Sequence, residues 1–556
     1  MTVSPAFIEH CRIKAQRFLK SVVIVDDRIT WDCEADLGFA TATKPSVSAA
    51  VAGDESAETP IGPDETSELD RSTISNVHIE AFTRSFAQHG IVAGFMKPVV
   101  GENAGDRIVK EIATLSDAAD VLLIDWFLDE AATSGSQQKI TVDAIQEILK
   151  KDSQDGGRIR LIVIYTAEPP EIVQRNLTVA LQANKMVHRL LEVDSDDLLK
   201  AIPCISVDHC LLAIVSKSMV EYSTSATPQI QEVVIRLFSK LNRGLLAATA
   251  LDAIAAIREK THHLLLQFAQ EHDGAFVAHR CLLADPEDAE VFLEKLIGDE
   301  IRAEIALQRV GLGVSHSKIE EWSNHLPATA RDKVLHLAKV RNDKNKIQEI
   351  RTALSLNDDT TQPAVIANLI QNCFSTTHPA AQQSTSISHL SRLSVADFDM
   401  EKVNAYAKDW VPKLALGTVI KNGNEFFLCM MPKCDSVRIS SGSRLFPFLK
   451  LHEAKNDDPF NLVLKLEASY LKFAVHAMGH HLTMLNFDAP NGFVDGAKNP
   501  NGSFDFLVKH NGNQTKRYRW VTELKEGKAL QFAQVLSGQL NRVGLDDFEP
   551  LRLSER

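Results

Sequence analysis

Apolar and polar positions follow three successive rhythms along this chain. In the first 220 residues, short unbroken apolar runs recur, each closed by polar residues: SVVIVDD from Ser21 to Asp27, IVAGFM from Ile91 to Met96, VLLID from Val121 to Asp125, RIRLIVIYT from Arg158 to Thr166 and HCLLAIVSK from His209 to Lys217. Such runs are too short for buried helices and too continuous for half-exposed strands, so they predict central strands covered on both faces. Between them, apolar residues return at spacings of three and four, which predicts helices over residues 5–19, 77–89, 106–115, 140–151, 169–184 and 228–241. Gly90 closes the second of these and Pro169-Pro170 opens the fifth. Strands alternating with helices predict a doubly wound, parallel five-stranded sheet. The stretch from Val187 to Pro203 leaves room for one more short strand or helix.

The second rhythm, from Gly244 to about Asn357, is helical throughout, as in LLAATALDAIAAIREKTHHLLLQFAQ, and predicts hairpins or a bundle. His262 and His263 are adjacent and so face different ways, which is unsuited to a metal pair. Residues 357–391, rich in Thr, Ser, Gln and Asn, read as a linker. The third rhythm begins near Asp397. Residues 417–439 read as a hairpin turning at Asn422-Gly423, and further strands are predicted over 462–466, 481–487, 504–508 and 518–524. A helix over 529–543 stops at Gly544. The expected organisation is an α/β domain over 1–243, a helical region with a linker over 244–396, and an α+β module over 397–556.

Composition refines this picture. Ten acidic residues and a single base, Lys44, fall between Trp31 and Asp70 among Ala, Ser, Thr, Gly and Pro. A segment so poor in apolar side chains cannot bury enough surface to order itself, so residues 31–75 are expected to form a mobile acidic insert. The net charge of −13 argues against nonspecific affinity for nucleic acid or for an anionic membrane. The interleaved Lys516, Arg517, Tyr518, Arg519 and Trp520 are accordingly read as a strand edge. No apolar run reaches membrane-spanning length. Eight scattered cysteines without a CxxC pair suggest neither a zinc site nor a disulfide framework, and a reducing cytoplasm is the expected compartment.

The candidate chemistry stands where strands end, the edge of an open α/β sheet at which ligands gather. Asp26 and Asp27 close the first run, Asp125 the third, Thr166 the fourth and Lys217 the fifth. Three carboxylates make an all-oxygen, negative cluster suited to a hard divalent cation such as Mg²⁺. A carboxylate such as Asp125 can attack phosphorus, with Lys217 as a point charge and Thr166 as a hydrogen-bond donor for phosphoryl oxygens. The alternative reading of these acids and hydroxyls as ordinary helix caps leaves the lysine and the acid pair unexplained.

The ordered set Asp26-Asp27, Asp125, Thr166-Ala167 and Lys217 resembles the response-regulator receiver family. The resemblance covers roughly the first 240 residues, without the acidic insert. It implies a phosphorelay protein that takes a phosphoryl group from a sensor histidine kinase onto Asp125. Mg²⁺ would be held by Asp26, Asp27, Asp125 and the backbone carbonyl of Phe127, and Thr166 and Lys217 would assist. Ile214 stands where the family carries an aromatic residue, and Ser218 where proline usually follows the lysine. The layout as a whole resembles the phosphate-sink receiver proteins of bacterial Detocs-type anti-phage systems, which implies a second receiver carrying an effector as a further partner.

Two other expectations remain open at this stage. The C-terminal region would be a phosphorylation-gated hydrolase or nucleotide-consuming effector, or the receiver fold would be a binding module that is never phosphorylated. His476, His480 and His481 cluster in HAMGHH, the first two at helical i, i+4 spacing, but with no acidic or cysteine ligand nearby they are read as packing or surface histidines. Cys434-Asp435 is read as a buried cysteine and a turn aspartate rather than a nucleophile pair. No Walker loop, HExxH, GxSxG, deaminase zinc signature or histidine-kinase ATP motif is present.

Overall fold

The computed structural model describes residues 4–30, 77–99, 104–128, 138–191, 196, 198–219, 230–283, 286, 288–324, four positions between 328 and 335, 380–400, 403, 409–440, 442–454, 460–467, 469–510 and 514–540. The acidic insert and most of the linker lie outside these residues. The chain divides into two compact units, Met1–His325 and Leu326–Arg556. Among the described residues, no helix is long and apolar enough to cross a membrane.

The first unit is built on β1 (Ser21–Val25), β2 (Val92–Met96), β3 (Val121–Ile124), β4 (Arg160–Thr166), β5 (His188–Leu190), β6 (Cys204–Val207) and β7 (Cys210–Ser216), in the order β2-β1-β3-β4-β7-β6-β5. The five central strands predicted from the sequence are present and parallel. The expected five-stranded sheet is nonetheless corrected to seven. The segment that exceeded the standard layout supplies β5, and β6 joins it as an antiparallel extension of β7. Both added strands are short, β5 (HRL) is mostly polar, and β6 (CISV) is only four residues long, which hides them from a search for apolar runs.

Helices cover both faces. Residues of α1 (Pro5–Phe18), α2 (Ile79–Ala87), α6 (Ile230–Leu241) and α7 (Leu245–Leu266) pack with Val22, Ile24, Leu123 and Val163. On the other face, α3 (Gly105–Ala118), α4 (Lys139–Gln154) and α5 (Pro170–Ala183) pack with Leu122, Ile124, Ile162 and Ile214. Successive strand residues thus go to opposite cores, which is why the runs are apolar without alternation. Ion pairs tie α7 to α1 and to the start of β3: Asp252 accepts from Lys14 at 2.8 Å and from Arg17 at 2.7 Å, and Arg258 donates to Asp120 at 2.8 Å. Three more helices follow, α8 (Asp273–Leu282), α9 (Asp288–Leu307) and α10 (His316–Ser323). The two-residue strands Ile29–Thr30 and Val77–His78 pair in parallel and bring the flanks of the acidic stretch together, with Thr30 Oγ1 3.1 Å from His78 Nδ1.

The second unit is β-rich. After α11 (Ala380–Val395) come β8 (Ala396–Asp399), β9 (Thr418–Asn422), β10 (Glu425–Cys429), β11 (Ser443–Glu453), β12 (Leu462–Leu466), β13 (Ser469–Ala474), β14 (Leu482–Asp488), β15 (Ala497–Lys498), β16 (Phe504–His510), β17 (Gln514–Leu524) and α12 (Glu526–Leu540). Strands β17, β9, β10, β11, β14 and β16 pair in sequence, and β16 pairs back to β17, closing an antiparallel barrel. Its interior holds Ile420, Phe427, Cys429, Phe446, Phe448, Phe487, Phe506 and Trp520. Outward residues of the same strands, Val419, Phe426, Leu428 and Leu449, are covered by the β12–β13 hairpin and α12. Gly417 (φ +99°) permits the close approach of α12, since a Cβ there would stand 3.2 Å from that of Ala529. The predicted hairpin is present with a two-residue loop, Gly423-Asn424, and Gly423 adopts φ +57°. Strand β11 has no strand signature in the sequence because Pro447 interrupts it; the carbonyl of Pro447 still accepts from Met430 N at 2.8 Å.

Candidate active site at the carboxyl edge of the parallel sheet

Strand register brings the site residues together. Val25 pairs with Ile124, Ile124 with Ile164, and Thr166 with Ser216. The next residues after β1, β3 and β7 are Asp26, Asp125 and Lys217, so all leave the sheet at one edge. Backbone bonds hold the turns: Asp125 N donates to Val25 O at 2.9 Å, and Asp26 N donates to Met96 O at 3.2 Å. Thr141 Oγ1, at the start of α4, donates to Asp125 O at 2.9 Å. Trp126 and Leu128 plug into the core and fix the loop after β3.

Carboxylate oxygens of Asp26, Asp27 and Asp125 lie within 4.8 Å of one another. Lys217 Nζ donates to Asp26 Oδ2 at 2.7 Å and to Asp125 Oδ2 at 3.3 Å. Asp26, Thr166 and Lys217 are buried, and Asp125 is 9% exposed. Asp26 Oδ1 accepts from Arg28 N at 2.7 Å, and Asp125 Oδ1 from Trp126 N at 2.8 Å. Thr166 Oγ1 accepts from Glu168 N at 3.1 Å, which leaves its own proton available for donation.

The electrostatics follow from this crowding. Burial pushes the Asp125 pKa up to about 7; Lys217 works against the rise, and Asp26 and Asp27 add to it. Burial alone would lower the Lys217 pKa, but Asp125 and Asp26 outweigh it and hold the ammonium above its ordinary range. A hard divalent cation fits a site with these donors. They are all oxygen, they converge on one gap, and added positive charge relieves the carboxylate repulsion.

Every side chain singled out from strand ends therefore comes to this edge. Phe127 follows in the loop after β3, its ring packed on the core below. The structure adds one residue that strand-end reading does not find. Tyr165 lies buried on the neighbouring strand, its ring centroid 5.6 Å from Lys217 Nζ and edge-on to Phe82. Its only sequence signal is its place beside Thr166, and the register with β7 is what brings the lysine over it.

The histidines behave differently. His476 and His480 are not on a helix. His476 follows β13, and His480 and His481 form a single 3₁₀ turn before β14. Cys434 is exposed rather than buried, within the 3₁₀ turn Lys433–Asp435.

In comparisons with known proteins, residues 18–202 match the response receiver domain family. That span contains Asp26, Asp27, Asp125 and Thr166 and ends before Lys217. No curated protein and no solved structure matches the chain.

Proposed function

We propose, from the match of residues 18–202 to the response receiver domain family, that Asp125 is the phosphoacceptor and a sensor histidine kinase the donor. The observation that carries this reading is the convergence of Asp26, Asp27 and Asp125 within 4.8 Å, with Lys217 Nζ 3.3 Å from Asp125. A carboxylate oxygen of Asp125 attacks the phosphorus of a phosphohistidine. The O–P bond forms, the P–N bond breaks, and the leaving imidazole takes up a proton. Asp26, Asp27, Asp125 and the Phe127 carbonyl would hold Mg²⁺, which supplies charge neutralisation for the transferring group. Lys217 exchanges part of its pairing with the carboxylates for a phosphoryl oxygen, and the free Thr166 proton donates to another. Buried Asp26 orients the ammonium throughout.

Incubating the full chain with acetyl phosphate or the cognate phosphorylated kinase in Mg²⁺ tests this. Wild type should gain one acid-stable, hydroxylamine-labile phosphoryl group, and Asp125→Asn should gain none. Equal labelling of the two would overturn the assignment. Following the resemblance of the layout to Detocs-type receivers, the proposed role is a phosphate sink in anti-phage defence. With kinase and a second receiver present together, wild-type chain should lower the second receiver's phosphorylation while Asp125→Asn does not.

A further inference from the structure

The second unit brings His452 beside three histidines of a later turn, His476, His480 and His481. Strand β11 passes from its pairing with β14, where Leu449 faces Leu482, to its pairing with β13, where His452 faces Ala474. His452 therefore stands where the two partner strands part. His476 lies two residues beyond Ala474, and His481 immediately precedes Leu482. The connecting turn is fixed by Met478 N donating to His476 O at 2.8 Å and His481 N to Met478 O at 3.0 Å. Helix α12 packs against the 3₁₀ turn. The imidazoles consequently face one another: ring centroids are 4.8 Å apart for His452–His481, 6.0 Å for His476–His481 and 6.1 Å for His452–His476. His480 lies 4.1 Å from His481.

We infer that His452, His476 and His481 form a binding site for a borderline first-row divalent cation such as Zn²⁺. His452 Nε2 and His481 Nδ1 are 3.2 Å apart. That contact is a hydrogen bond between the rings; two nitrogens bound to one tetrahedral zinc at about 2.0 to 2.1 Å stand about 3.3 Å apart, so a cation can replace the shared proton with little change in their separation. The His476 ring is nearly equidistant from both, and it is exposed, so rotation about its terminal torsion can present a nitrogen to the same point. All three donors are imidazole nitrogens, a set that selects zinc, cobalt, nickel or copper over Mg²⁺. Exposure of the cluster leaves a coordination position for water or a further ligand. His480, against His481, limits the rotation of that ring.

The test uses the full chain in excess Mg²⁺, which keeps the aspartate cluster occupied by a hard cation. Titration with Co²⁺ should give one equivalent of nitrogen-ligated visible bands, displaced by Zn²⁺. His452→Ala and His481→Ala should each weaken binding by well over about a hundredfold, beyond the roughly 10- to 100-fold that loss of a supporting residue costs. The double variant His262→Ala/His263→Ala, in the first unit, should bind as wild type. X-ray absorption of the Zn²⁺-loaded wild type needs no variant and should show three imidazole nitrogens at about 2.0 Å. An oxygen-only shell, or binding unaffected by both single substitutions in folded protein, would overturn the site.

Discussion

Burial acts in opposite senses on the two charges that meet at 3.3 Å, Asp125 and Lys217. It raises the carboxyl pKa to about 7, while the surrounding acids keep the lysine charged. An acidic Asp125 must release its proton to bind a cation. Apparent Mg²⁺ affinity should therefore climb as pH rises toward about 7 and level off above it. Calorimetric titration from about pH 5.5 to about pH 8.5 reads this slope, which Asp125→Asn should flatten. Lys217 is the counter-charge for two buried carboxylates. Replacing it with alanine should destabilise the metal-free first unit by about 3–5 kcal/mol, as loss of one partner of a buried pair does. Chemical denaturation with and without Mg²⁺ checks this, and added Mg²⁺ should recover part of the loss.

At the scale of elements, each strand end is held by contacts remote from the chemistry. At the opposite edge of the sheet, Arg160 on β4 donates to both oxygens of Asp152 on α4, at 2.6 and 2.7 Å, and to Ser116 O at 2.7 Å. Arg160 is only 2% exposed. Asp152→Ala removes both carboxylate bonds, leaving Ser116 O and Asp117 Oδ1 at 3.5 Å, and should cost about 3 kcal/mol. Because the pair lies far along the strand from Asp125, phosphoryl stoichiometry should remain that of wild type at a temperature where the variant is folded. In the second unit, Glu523 on β17 accepts from Trp520 Nε1 at 2.8 Å and from Thr418 Oγ1 at 3.0 Å. The residue keeps some exposure, but its carboxyl is closely enclosed, and burial pushes its pKa from 4.5 up to about 8 despite these bonds. A carboxyl with a raised folded pKa binds more protons folded than unfolded. The stability of this unit should therefore fall as pH rises from about 4.5 to about 8. Glu523→Gln should remove that dependence, read as the pH profile of the denaturation midpoint.

For the whole molecule, two different solutions bury apolar surface. The parallel sheet uses helices on both faces, and the barrel closes on an aromatic interior and is then wrapped by a hairpin and a helix. Phe487 is fully buried within that interior, against Phe446, Phe448 and Phe506. Phe487→Ala should cost about 3–5 kcal/mol. Denaturation of the full chain should show the loss in the second unit's transition, with Asp125 still phosphorylated under native conditions.

The central strands of the parallel sheet and the polar residues closing four of them were legible in the sequence, because a strand buried on both faces must be apolar throughout and a polar side chain in its path marks the edge of the sheet. The hairpin was legible because few residue types besides glycine accept its turn, although the register centres the loop on Gly423-Asn424, one residue on from the Asn422-Gly423 read from the sequence. Strand pairing was not, and it decided the rest: the β5–β6 extension, the closure of β16 on β17, Tyr165 beneath Lys217, and His452 beside His481. The last two join residues far apart in the chain, and all four depend on backbone hydrogen bonds, which every residue type except proline can form in full. Composition therefore carries the local element, while only the folded register determines which side chains share a site.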